Sequence, residues 1–215
     1  MIEPLSLCVY ENRTSFTTIT PMVPLLPTLK RVDRLRWSKG VYGWFLEMEF
    51  HCSGLREAEA LFWLDQAMGR LARLEVFGGY LWEGMVYEVS AELPGATLTR
   101  SMEPLANKVY CEYSDNDTGS NAVTSAKNDT TSQAKYGVKE VYLTGGTRNS
   151  TEAGNYAARY LESHADPPVV QEITDRPPGL AGLTVLCRGY FETLKWQFYT
   201  STTSGNQDSA LTIGD

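Results

Sequence analysis

The sequence predicts an α+β fold that is mainly β, and three observations carry that prediction. Apolar and polar residues alternate over 41–50, a Gly78-Gly79 pair separates two further strand-like runs, and helical spacing marks two windows, 53–71 and 149–164. The first half therefore reads as a β-rich body with one helix, and the second as a smaller α/β part.

Taken in order, "VYGWFLEMEF" at 41–50 places Tyr42, Trp44, Leu46, Met48 and Phe50 on one face of a strand and Gly43, Phe45, Glu47 and Glu49 on the other. A helix of about four turns is expected next, capped by Ser53, with Glu57 and Glu59 near its positive end. Leu61, Leu64, Met68 and Leu71 recur along it at helical spacing. Residues 73–93 read as a β-hairpin, because Gly78-Gly79 supplies the positive φ of a tight turn. Gly84 marks a bulge or the close approach of another backbone. Pro94, Gly95 and Pro104 make 92–108 a connection.

In the second half, 107–113 is a strand, 114–134 a long polar loop, and "YGVKEVYLT" from Tyr136 another strand. A helix opens at Asn149 or Ser150, with Glu152 placed for a capping box and Ala153, Tyr156, Ala157, Tyr160 and Leu161 on one face. "ADPPVV" stops it. A linker at 174–182 leads to an apolar strand at 183–191, then to a strand with Leu194, Trp196 and Phe198 on one face. The tail from Thr200 has no periodicity.

A chain of 215 residues, 42% apolar and 21% charged, is long enough to bury a core in one large domain or two of about 100 residues. Its net charge of −7 argues against general affinity for nucleic acid or anionic lipid. The basic cluster at 30–40, interrupted by Asp33, reads as a solvated turn region. Cys8, Cys52, Cys111 and Cys187 lie far apart without a CxxC, which favours buried thiols and leaves one or two disulfides open. The N-terminus lacks the basic and apolar regions of a signal peptide, and no 18-residue apolar window predicts a membrane span. Sequons at Asn12, Asn116, Asn128 and Asn149 are then expected to reflect loop composition and to carry no glycans.

Candidate chemistry is sparse. The histidines are His51 and His164. His51 neighbours Cys52, but adjacent strand residues face opposite ways, so a thiol-imidazole dyad is geometrically poor. His164 suits the negative end of the second helix. Asp115, Asn116, Asp117 and Asn121 offer hard oxygen ligands without the EF-hand series. "GGTRNST" at 145–151 opens a helix but is neither a P-loop nor a dinucleotide fingerprint. No GxSxG elbow or zinc spacing is present, so no catalytic, cofactor-binding or metal residue is assigned. A hydrolase with its site at Asp115, Asp117 or Cys52 is the least favoured alternative.

The order of segments carries a resemblance. Ser132, Tyr136, Gly137 and Glu140, the Ala-rich helix "AGNYAARYLESHADPP" and "CRGYFETLKWQFY" at 187–199 resemble the tail hub, or baseplate hub, proteins of tailed bacteriophages. The resemblance spans most of 40–200. It implies a tail-tube-like β-barrel or sandwich formed by 1–105 and rejoined by 181–200, a small inserted α/β domain at 106–180, and a flexible or partner-ordered tail at 201–215. It also implies a non-enzymatic virion protein, made in the host cytoplasm, that forms a ring at the tail tip. The implied ring is a homotrimer of pseudo-sixfold symmetry; as 215 residues are short for the two tube-like domains this needs, the chain is expected to be a minimal or incomplete hub, or to take its second ring-forming unit from another chain. Expected partners are tail-tube, distal-tail or tape-measure proteins, with DNA passing through unbound, no membrane span and no cofactor. A net charge of −7 fits a lumen that repels phosphates. The alternative is a carbohydrate- or receptor-binding module of a phage tail, supported by 12 Tyr and 5 Trp.

Overall fold

The computed structural model describes residues 6–10, 32–76 and 79–196. Eight strands build an antiparallel sheet: β1 (Ser6–Tyr10), β2 (Arg34–Lys39), β3 (Phe45–Leu55), β4 (Leu71–Val76), β5 (Gly79–Leu93), β6 (Ala96–Ser101), β11 (Val169–Ile173) and β12 (Ala181–Arg188). Its main path runs β1-β4-β5-β12-β3-β2. The expected barrel is corrected here, because among the described residues this path does not close. The reason lies in β5, whose 15 residues outrun any single neighbour. On one edge its first part pairs with β4, up to Met85, and its last part pairs with β6 from Glu88 onward. The sheet therefore forks, and β11 extends the second branch by pairing with β6. Residues 169–173, expected within the inserted α/β part, thus hydrogen-bond into the larger sheet.

Met48, Phe50 and Cys52 of β3, Val89 and Ala91 of β5, and Leu183, Val185 and Cys187 of β12 form the floor of the core. Helix α1 (Glu57–Gln66) lays Ala60, Trp63 and Leu64 on that core, with the Trp63 ring edge-on to Phe50 at 6.1 Å. The helix is shorter than predicted. Ser53 belongs to β3, and the turn instead opens at Arg56, whose backbone N–H donates to the Glu59 carboxylate at 2.9 Å. Met68 and Leu71 are buried beyond the helix end, Leu71 in β4.

The alternation in β3 breaks near its start. Trp37 pairs with Met48 but Lys39 with Phe45, so an extra residue in β3 switches the facing. Phe45 turns to the core, while Trp44 and Leu46, expected on the Met48 face, are exposed. The cluster at 30–40 is likewise corrected, since 34–39 form edge strand β2.

Several other segments differ from expectation. Pro94-Gly95 is a two-residue turn, with Leu93 opposite Ala96, and 96–101 form β6. "ATLTRS" has too little apolar alternation to announce a strand. Residues 190–196 form a 3-10 helix (Tyr190–Trp196), not a strand; Trp196 is buried and Leu194 exposed. Phe198, the tail from Thr200 and the turn at Phe77 and Gly78 lie outside the described residues, although β4 and β5 form the hairpin expected around that turn. Gly84 is a close approach as read: a Cβ there would lie 2.3 Å from the Arg188 carbonyl oxygen.

The second sheet contains β7 (Lys108–Asp115), β8 (Asn121–Val123), β9 (Lys127–Asn128) and β10 (Glu140–Arg148). β10 runs parallel to β7, and helix α2 (Thr130–Tyr136) lies in their crossover. The polar loop expected at 114–134 is therefore structured. β8 and β9 are held by main-chain pairing to β7, which needs no apolar side chains, and they are too short to show a period. Helix α3 (Ser150–His164) begins in the predicted capping box of Asn149 and Glu152. Its Ala153 and Ala157 pack with Val109 and Cys111 in a second core, joined by Tyr156, Tyr160 and Leu161. Among the described residues no helix is long and apolar enough to cross a membrane.

Candidate functional site

The residues singled out for chemistry are dispersed. His51 faces outward, its Nδ1 3.8 Å from Asp33 and its Nε2 3.7 Å from Glu92. Cys52 points into the core on the other face, where burial pushes its thiol up to about 12. No thiol-imidazole pair forms there. His164 stacks on Tyr160 at 3.9 Å, with Nδ1 2.9 Å from that residue's carbonyl oxygen. All four cysteines are free, Cys8 being the most accessible.

Asp115 closes its own turn between β7 and β8. Its carboxylate accepts the Thr118 and Asp117 amides at 3.0 Å each, and those bonds hold it below the usual carboxylate range. Asn121 pairs with Ser114 across the strands. Among the described residues no group of His, Cys, Asp or Glu is arranged to hold a metal ion. Gly145 and Gly146 lie inside β10, not in an anion loop, and a Cβ at 145 would lie 2.6 Å from Cys111 Sγ.

The stretch around Ser132, Tyr136, Gly137 and Glu140 proves to be a clamp between the two sheets. Asp129 caps α2 by accepting the Ser132 amide at 2.8 Å, and Gly137 leaves the helix at φ +88°. Fully buried Asn107 stands at the centre. Its Nδ2 donates to Ser132 Oγ at 3.1 Å and to the Gly137 carbonyl at 2.7 Å, and its Oδ1 accepts the Lys139 amide at 2.8 Å. Ser132 Oγ donates onward to the Ala165 carbonyl. Tyr136 is buried in the core of the larger sheet, and its hydroxyl donates to Asp166, which also pairs with Arg100 of β6. Burial pushes the Tyr136 hydroxyl well above its ordinary value. Arg100, itself only 6% exposed, adds a 2.8 Å bond from Nε to the Pro167 carbonyl. Glu140 stands apart in an ion pair with Lys108 at 2.6 Å. Asn107 and Arg100 carry no local signal in the sequence, because their partners lie 25 to 67 positions away.

A second polar junction lies nearby. Tyr87 donates its hydroxyl to Glu103, and that bond is the main cause of a Glu103 carboxylate held below its ordinary 4.5. A carboxylate depressed by folding stabilises the fold above its unfolded pKa and loses that contribution as pH falls through the lower folded value. Tyr87→Phe is therefore expected to lower the melting temperature at pH 7 by about 3 °C. Thermal melts from pH 7 to pH 3 should show this gap closing in acid; a gap independent of pH would mean that Glu103 is not the partner that matters.

The surface holds a different kind of feature. Around the β2–β3 turn, Val41 is 97% exposed, Tyr42 88% and Trp44 52%, with Trp37 and Leu46 also open to solvent. The Trp44 ring lies 4.9 Å from Phe191 of the 3-10 helix, so the patch continues across two elements. On the other branch, β11 exposes Val169, Val170 and Ile173, and all of its residues are exposed. On the second sheet, Tyr110 and Tyr142 stack at 4.6 Å. A cleft of about 520 Å³ opens among Glu112, Asn121, Val123, Thr144 and Gly146.

No protein-family model, curated protein or solved structure matches this chain.

Proposed function

We propose that the protein is a structural virion component of a phage tail, a hub that forms a ring at the tail tip or baseplate and caps or extends the tail tube. The observation that carries this reading is the run of exposed Trp37, Val41, Tyr42, Trp44 and Leu46 on an open antiparallel sheet. Large apolar side chains left exposed around one turn, with Trp44 against Phe191, are a mark of a protein interface. The return of β12 to a place between β3 and β5, after the α/β part, supports a β domain bearing an insertion, as the resemblance implies. The dispersal of His51, Cys52, Asp115 and Asp117 supports a non-enzymatic role. The partners would be copies of itself, as a homotrimer of pseudo-sixfold symmetry, and the tail-tube, distal-tail or tape-measure proteins it meets in the virion.

Mass photometry and negative-stain images at micromolar concentration test it. A ring of about three times the 24.0 kDa chain mass is expected. A strictly monomeric protein at high concentration overturns it. The stacked Tyr110 and Tyr142, on the same two strands as the cleft at Glu112 and Thr144, favour a second reading, a carbohydrate- or receptor-binding module of a phage tail. Hits on a glycan array from a protein that forms no ring would put that reading first.

A further inference from the structure

We propose that copies of this chain join head to tail by strand pairing, the outer edge of β2 in one copy hydrogen-bonding to β11 of the next. The inference rests on the ring reading and names the two surfaces that would make the ring. Among the described residues, β2 pairs only with β3 and β11 only with β6, so each has one edge on which no described strand pairs. Their lengths match, at six and five residues. An exposed edge strand with apolar side chains is a template for another strand, and both edges fit that description. β2 carries half-exposed Trp37, and β11 carries Val169, Val170 and Ile173, the last 85% exposed.

Charge decides which edges meet. Arg34, Arg36 and Lys39 give β2 only positive charges, and Asp33 just before it is turned inward to the Ser53 amide at 2.7 Å. β11 carries Glu172 as its only charge, followed by Asp175. Arg34 is partly engaged with Glu49 at 3.7 Å and Lys39 lies over the Phe45 ring at 5.0 Å, which leaves Arg36, opposite Glu49 in register, as the cation best placed to reach a neighbour. Pairing β2 with β2 brings only positive charges together, and pairing β11 with β11 offers Glu172 no opposite charge. Only the mixed pairing opposes unlike charges. A mixed pairing is heterologous, and repeated with a rotation that closes it produces a ring, whereas a rotation that does not close would give a filament.

The test compares wild type with Arg36→Glu, Glu172→Lys and the double variant by mass photometry and sedimentation over a dilution series. Each single substitution sets like charges across the joint and is expected to weaken assembly at least about tenfold, whereas the double variant restores an opposite pair and should return to within about threefold of wild type. Both side chains are exposed; Glu172→Lys is expected to leave the melting temperature unchanged, and Arg36→Glu, which faces Glu49 across β2 and β3, to lower it by no more than about 3 °C in the single and double variants alike, which serves as the folding control. Rings that survive both single variants overturn the edge pairing and leave the ring reading standing. Single variants that fail without rescue in the double variant also overturn it, since the two edges would then not meet each other. A monomeric wild type removes both proposals.

Discussion

Gly189→Ala is expected to cause one of the largest losses of stability of any single methyl addition in this chain. A Cβ at 189 would lie 1.8 Å from the Phe45 carbonyl oxygen and 2.6 Å from its carbonyl carbon. Both are main-chain atoms of β3, so no side-chain rotation relieves the contact. Phe45 is fixed from two sides: its ring packs against the core, and the Gly189 amide donates to the Leu46 carbonyl at 2.8 Å. The backbone must therefore shift, at a cost of about 3 kcal/mol. For a chain of this size that corresponds to a fall of roughly 10 °C in melting temperature. Circular dichroism melts read it directly, and a shift within about 2 °C of wild type would show that the two strands separate easily at this crossing. Because Gly189 leads into the 3-10 helix, loss of the Trp44–Phe191 contact should accompany the unfolding and be visible as a change in tryptophan emission.

Asn107→Leu is expected to have a comparable effect by a different route. Leucine fills similar space but abandons the Ser132 hydroxyl, the Gly137 carbonyl and the Lys139 amide. A buried polar group left without a partner costs about 1–3 kcal/mol, and water can reach some of these, so a total near 3 kcal/mol is expected. The damage should be local before it is global. Hydrogen exchange should speed up first in α2 and at the start of β10, with β5 and β12 slowest to respond. Uniform protection across both sheets in the variant would contradict a clamp centred on Asn107.

The elements legible in the sequence were those whose signal is local. Asn149 and Glu152 sit three apart, so α3 and its cap could be read directly, as could the β4–β5 hairpin from Gly78-Gly79. Gly84 announced a close backbone approach, and the opposed facing of His51 and Cys52 followed from the period of a strand. Failures came where main-chain pairing acts without side-chain pattern. β8 and β9 are three and two residues long, too short to show a period, and β6 pairs through "ATLTRS". The bulge near the start of β3 exchanged Leu46 for Phe45 in the core, which strict alternation does not foresee. Ser132 and Tyr136 stand out in the sequence as a signature, but the residues that give the signature its purpose, Asn107, Arg100 and Asp166, are brought to it only by tertiary folding.

The place of β12 in the sheet has a consequence for biosynthesis. It lies between β3 and β5, yet it is made after both of them and after the entire second sheet. While the ribosome is still adding the residues of α3, the nascent body holds a slot one strand wide at its centre, with the main-chain groups of β3 and β5 on either side lacking β12 as their partner. Long-range pairing of this kind is slow to form and exposed to mispairing until it is complete. The second sheet, whose strands and covering helix are contiguous in the chain, can mature while the slot waits. The last described strand to emerge is thus the keystone of the first one begun.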